Sequence, residues 1–431
     1  MPHDQPIRAH NDHNVYILGA GFSKTAGLPL IKDFMNRMRD ATAWLKTQAD
    51  RGREIEAINR VLRFRLEATA AAYRIPLDVD NVEELFSLAS AGGDGDLMQK
   101  MPLAIAATLD YARHVALPLT DDRPYEIGVK ESPDWEPPKN WRPPVRARSP
   151  ETRNEILDRW FTCPRYEFYL GLIAGYFNSG TPDRRDTIIT FNYDTIVEEA
   201  LRGLDIPFTY GPPELIGWRG AEPAQIDDCA DKNIKVLKLH GSVNWVFGLD
   251  YALGSVDPSS IRPDAASDLQ RRIATLQDYN EVRTQNHIPF LVAPTWQKLF
   301  HGYLATVWRE AVEALKTATR VIILGYSMPP TDQHFKYLLA AGLQDNISLR
   351  KLFFVNPALA NEEERPMLEQ RLFSLFRREH FERGVIELEP LSVEQFLAGA
   401  DQMPNGRAAI GRTLNPPGQD YSTIRWVGPS S

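Results

Sequence analysis

Hydrophobic residues fall along this chain in two patterns. Short apolar runs at Val15–Leu18, Thr187–Phe191, Lys235–Leu239, Val321–Leu324 and Leu352–Val355 have the length and β-branched content of buried strands. Further strands are predicted over Ile206–Tyr210, Pro289–Ala293 and Val385–Leu388. Between and beyond them, apolar positions recur at helical spacing. Leu30–Arg39 reads as a helix, and a longer one over 41–74 carries Trp44, Leu45, Ile55, Ile58, Leu62 and Leu66 on one face. Asn81 or Asp80 caps a helix with Glu83 and Glu84 in its first turn. Met98–Leu117, Glu151–Phe177, Thr195–Leu201, 297–319 and Ser392–Leu397 complete the helices. Strands alternating with helices predict an α/β fold, a Rossmann-like parallel sheet with helices on both faces. The helices between the first strand and residue 186 add an all-helical insertion.

Breaks in the pattern divide the chain. Residues 1–31 and 186–400 form the predicted α/β domain, 32–185 the insertion and 401–431 a tail bearing proline and glycine. Within the insertion, 132–150 is rich in proline and holds Trp135 and Trp141, so it is a loop, either a lid or a linker. The aromatic stripe of Trp160, Phe161, Tyr166, Phe168 and Tyr169 reads as core packing.

Charge and cysteine usage narrow the classes. Lys plus Arg total 49 against 57 Asp plus Glu, a net charge of −8, which argues against general nucleic-acid binding. The two cysteines, Cys163 and Cys229, are too few for a zinc ribbon or a disulfide framework, so no metal is expected and a reducing cytoplasm fits. No apolar run approaches the ~20 residues that span a bilayer, and no N-terminal signal segment is evident.

Polar residues gather just past the ends of the predicted strands. Gly19-Ala20-Gly21-Phe22-Ser23, Asn192-Tyr193-Asp194, His240-Gly241-Ser242, Gly325-Tyr326-Ser327 and Asn356 each follow an apolar run. Ligands bind at that edge of open α/β sheets. The glycines after Leu18 permit a close backbone approach to a phosphate, though Lys24 stands where the dinucleotide fingerprint of dehydrogenases requires glycine. Each cluster also has a bland alternative: Asp194 and Asn192 as capping or turn residues, His240 as a satisfied strand-end histidine, and Asp332 as a cap of the next helix.

In this order the clusters, with Gly27-Leu28-Pro29, Thr190-Phe191-Asn192-Tyr193-Asp194, Leu239-His240-Gly241 and Val355-Asn356, resemble the motif set of the sirtuin superfamily. Asn81–Phe86 and Pro289–Thr295 resemble, more narrowly, the sirtuin-like NAD-consuming proteins of bacterial antiphage defence. The resemblance implies an NAD⁺ pocket. Gly19, Ala20, Gly21, Phe22 and Ser23 would hold the diphosphate, Gly325, Tyr326 and Ser327 phosphate or ribose, and Asn356 the adenosine ribose. Asn192 would orient the nicotinamide ribose or a water, and Asp194 would accept from the carboxamide. His240, of a residue type whose ordinary pKa is about 6.5, would be the general base.

The chain also departs from sirtuin deacylases. It lacks their four zinc cysteines, follows Leu28-Pro29 with Leu30-Ile31-Lys32, and places Ala293-Pro294-Thr295 where an acyl-lysine peptide would pair. These differences weigh against protein deacylation and leave NAD⁺ cleavage in place. The expected function is an NAD⁺ glycohydrolase that yields nicotinamide and ADP-ribose in abortive antiphage defence. A deacylase or ADP-ribosyltransferase, or a non-catalytic NAD⁺ or ADP-ribose sensing scaffold, are the alternatives. Expected partners are further copies of the chain and a regulatory ATPase or Argonaute-type sensor, with no direct nucleic-acid or membrane contact.

Overall fold

The computed structural model describes residues 13–115, 126–129, 165–174, 186–204, 206–213, 215, 217–218, 233–247, 273–292, 298–328, 333–398 and 424–427. The proline-rich loop 132–150, Ala293-Pro294-Thr295, Asp332, both cysteines and most of the tail lie outside the described residues. Strand β1 (Asn14–Leu18) leads through a single turn, α1 (Ala20–Ser23), into α2 (Ile31–Leu45), α3 (Gly52–Ala72), α4 (Val82–Gly92) and α5 (Gly95–Val115). Then come β2 (Glu126–Val129), α6 (Arg165–Ile173), β3 (Thr187–Thr190), α7 (Ile196–Gly203), β4 (Phe208–Thr209) and β5 (Ile234–Lys238). They are followed by β6 (Gly241–Phe247), β7 (Ile273–Thr275), α8 (Tyr279–Thr284), β8 (Pro289–Leu291), α9 (Lys298–Thr317) and β9 (Arg320–Leu324). The chain closes with α10 (Gln333–Leu343), β10 (Lys351–Val355), α11 (Arg365–Leu375), α12 (Arg378–Glu382), β11 (Ile386–Glu389), α13 (Val393–Ala398) and β12 (Ile424–Val427).

Seven strands form one sheet in the order β11-β10-β9-β1-β3-β5-β4, parallel throughout. This is the expected α/β, Rossmann-like class. Residues 15–18 of β1, all of β3 and residues 321–324 of β9 are buried, as apolar runs covered on both faces must be. The first strand is central, with β3 on one side and β9 on the other. The connections reverse direction about it, which opens a crevice at the carboxyl ends of its neighbours.

A second core lies apart from the sheet. Met35, Met38, Ile58, Phe86 and Met101 of α2 to α5 pack with Val243 and Val246 of β6, Leu291 of β8 and Val282 of α8. Here the structure corrects the expectation in three places. The strand at Pro289 joins β6 and β7 in a separate antiparallel sheet rather than the parallel one. The predicted helix over 41–74 is two helices, broken between Leu45 and Gly52 where Asp50 takes a positive φ of 57°. The segment 32–185 is not helical throughout, since β2 pairs antiparallel with β12. Asn81 does cap α4, its side chain accepting from the N–H groups of Glu83 and Glu84. Among the described residues no helix is long and apolar enough to cross a membrane.

Candidate active site

Sheet register sets the site. Lys238, Thr190, Leu18, Leu324 and Val355 stand side by side at the ends of their strands. The polar clusters that follow them therefore emerge on one edge. The ladder runs one residue further: Phe191 N–H donates to Leu18 O at 3.2 Å, Gly19 N–H to Leu324 O at 3.0 Å and Gly325 N–H to Val355 O at 3.3 Å.

The glycines at this edge are there for contact between two loops. Gly21 N–H donates to Gly325 O at 2.8 Å. A Cβ on Gly19 or Gly21 would lie 2.7 Å from that same oxygen. Gly325 has a φ of +64°, and a Cβ there would meet Phe22 N at 2.4 Å. The N–H groups of Gly19, Gly21 and Phe22 are all used inside the protein, and Ala20 is half-buried. From α6, the Tyr166 hydroxyl donates to Phe22 O at 2.6 Å and accepts from Ala26 N–H at 3.1 Å, clamping the turn from behind.

Three side chains form a directed chain. Asn192 Nδ2 donates to Gly19 O and to Ser23 Oγ, both at 3.0 Å. Ser23 Oγ donates its single proton to Asp194 Oδ2 at 2.8 Å, and Asp194 Oδ1 accepts from Ile196 N–H at 3.1 Å. The Gly19 carbonyl can only accept, so the amide cannot be flipped. Asn192 thus has both Nδ2 hydrogens turned inward, which leaves Oδ1 as the acceptor of its side chain. Ser23 is 2% exposed, which makes its hydroxyl a link between Asn192 and Asp194. His240 is 5% exposed, its ring edge-on to Phe191 at 5.3 Å and tilted against Tyr193 at 6.2 Å, the two neighbours of Asn192 in the chain.

On the other flank Tyr326 stacks on Phe191 at 5.2 Å, a ring contact that ties the two halves of the edge together. Ser327 is exposed, and its carbonyl accepts from Arg371 at 3.1 Å. Asn356 is 8% exposed; its Nδ2 donates to Tyr326 O at 3.1 Å and its Oδ1 accepts from Ala358 N–H at 2.9 Å. Its side chain therefore holds the Gly325–Ser327 loop against the turn that begins at Pro357.

Residues 186–375 match the family model described as a SIR2-like domain. The chain carries a SIR2-like domain. No curated protein matches the chain. SIR2-like domains bind NAD⁺, which makes the class of function NAD-related. The matched segment of the SIR2-like domain contains Asn192, Asp194, His240, Gly325 and Asn356 but not the glycine turn. The structure supplies that turn, because β1 sits between two strands of the matched segment.

Sequence reasoning missed Lys238 and Glu198 beneath the candidate site. Their ion pair is 2.9 Å long, with side chains 1% and 0% exposed. Tyr210 donates to Glu198 Oε1 at 3.3 Å, and burial followed by the Glu198 charge pushes the phenol well above its ordinary pKa. Burial also raises the Glu199 pKa against the opposing pull of Arg113, its ion-pair partner on α5. Lys238 lies in an apolar strand run, and no pattern in that run marks it as buried. Among the described residues no group of three or more His, Cys, Asp or Glu is placed to hold a metal ion.

Proposed function

We propose that the protein is an NAD⁺ glycohydrolase that cleaves NAD⁺ to nicotinamide and ADP-ribose and acts as an abortive-infection effector in antiphage defence. The observation that carries the proposal is the Asn192–Ser23–Asp194 chain at the carboxyl edge of the sheet, with His240 on the rings beside it. The bond to be broken already has a cationic leaving group. Hydrolysis therefore asks mainly for binding, orientation and a correctly placed water. As the C1′–N bond breaks, its electron pair passes to the nicotinamide ring, and a water oxygen bonds to C1′. Asn192 Oδ1, held as an acceptor, orients that water or the nicotinamide ribose. The water's proton leaves through His240 to solvent. Asp194 accepts from the carboxamide, while Ala20 and the Gly325–Ser327 loop receive the diphosphate and Asn356 borders the adenosine ribose.

Such an activity must be restrained in a healthy cell. Self-assembly or a partner ATPase or Argonaute-type sensor would provide the restraint. The test is NAD⁺ consumption by purified protein, with nicotinamide and ADP-ribose quantified and no protein acceptor added. Asn192→Ala and His240→Ala are each expected to lower kcat by about 10²–10⁴-fold. Turnover that survives both substitutions, or that requires an acyl-lysine peptide, overturns the proposal.

A further inference from the structure

We propose that Lys238 is a positioning residue of this site, fixing the Asn192–Asp194 turn from beneath through a hydrogen bond to the Asp194 carbonyl. The inference rests on the site assignment above. Lys238 Nζ reaches two acceptors, the Asp194 main-chain oxygen and Glu198 Oε1. Glu198 is on α7, the helix that the turn enters, and its Oε1 also accepts from Tyr210. Asn244 Nδ2 donates in turn to the Tyr210 hydroxyl at 3.3 Å and to Leu276 O at 2.8 Å. One hydrogen-bond path thus joins the antiparallel sheet to the back of the turn that carries Asn192 and Asp194.

A buried ion pair is seldom a net source of stability compared with apolar residues of the same volume. What this pair does provide is direction. The ammonium is confined between a carboxylate on α7 and a carbonyl on the turn, so the turn cannot shift relative to the helix without leaving a buried charge poorly paired. The turn has a second anchor on Tyr193, whose carbonyl accepts from Val243 N–H at 2.9 Å. The two anchors hold successive carbonyls of the turn. Asn192 Oδ1 and the Asp194 carboxylate are thereby set before any ligand arrives.

The experiment separates positioning from plain stability by comparing two ways of disturbing the same pair. Lys238→Met removes the contact to the Asp194 carbonyl. Tyr210→Phe removes a partner of Glu198 and leaves that contact intact. Amide hydrogen exchange across residues 190–197, followed by mass spectrometry at a temperature where each variant is folded, should speed up in Lys238→Met and stay at the wild-type rate in Tyr210→Phe. Lys238→Arg, which keeps a cation for Glu198 but not the same reach, covers the case in which methionine prevents folding and should also speed exchange. With NAD⁺, Lys238→Met should lose about tenfold or more in kcat, with KM held within about threefold. Wild-type exchange at 190–197 in the folded Lys238 variants, or equal effects from Tyr210→Phe, overturns the proposal. A wild-type protein that does not turn over NAD⁺ defeats the glycohydrolase assignment instead, and the exchange comparison still decides the role of Lys238.

Discussion

The two flanks of the sheet edge are built differently. On the β3–β5 flank, side chains do the ordering: Asn192, Ser23 and Asp194 are linked to one another, and Lys238 supports them from below. On the β9–β10 flank the main chain does it. Gly325 is wedged against Gly21, Ser327 is exposed, and the Asn356 side chain bonds to main-chain groups. A reacting centre needs donors and acceptors at fixed angles, whereas a phosphate or sugar can be received by a well-shaped backbone. Under the proposed function, chemistry falls to the first flank and binding to the second.

Substitutions can break this comparison. The largest effect is expected from Gly325→Ala, which would place a Cβ within 2.5 Å of both Phe22 N and Gly21 C at a φ of +64°. It should cost more than about 2 kcal/mol in urea unfolding and abolish NAD⁺ turnover, because both flanks lose their common contact. Ser23→Ala and Ser327→Ala should then separate the flanks kinetically. Ser23→Ala leaves Asn192 and Asp194 unlinked and is expected to lower kcat about tenfold with little change in KM. Ser327→Ala should raise KM a few-fold, by an order-of-magnitude argument from one lost hydrogen bond, and leave kcat alone. If both variants act on the same parameter, the division of labour is wrong.

The smallest effect concerns pH. Burial raises the Glu199 pKa above its ordinary 4.5, so the folded protein holds that proton more tightly than the unfolded chain. Its contribution to stability is complete below pH 4.5 and declines as pH rises through the raised value. Glu199→Gln should flatten that part of the stability profile, as measured by unfolding midpoints at a series of pH values.

Much of this was readable before any coordinates. Unbroken apolar runs such as Val321–Leu324 can be satisfied only by strands covered on both faces, and they form the sheet. Asn81 is followed by two acids and caps its helix. The small antiparallel sheet was missed for a physical reason. In β6 the polar Ser242 and Asn244 alternate with Val243 and Trp245, a strand pattern, but the run begins inside the turn after His240. Both polar residues are buried, in a network that depends on partners tens of residues away, such as Tyr210 and Leu276. Ser23 stands in a cluster that the sequence marks as a candidate site, yet its link to Asp194 spans 171 positions and has no local signal. Lys238 is hidden in the same way, because a lysine within an apolar run gives no sign of whether its ammonium finds a buried partner.

The central position of β1 also sets a timetable for synthesis. This strand leaves the ribosome before the others of its sheet, and its two neighbours begin far later, at Thr187 and Arg320. At translation speeds of about 5–20 residues per second, roughly 15–60 s separate β1 from β9. During that interval the glycine turn has no Gly325 to lean on, and Ser23 has no Asn192 or Asp194 until β3 and its turn emerge. A nascent chain therefore carries no assembled edge until β9 and its loop have followed. For a protein proposed to destroy a metabolite that its own cell needs, the order of the strands delays the hazard until both flanks of the edge have been made.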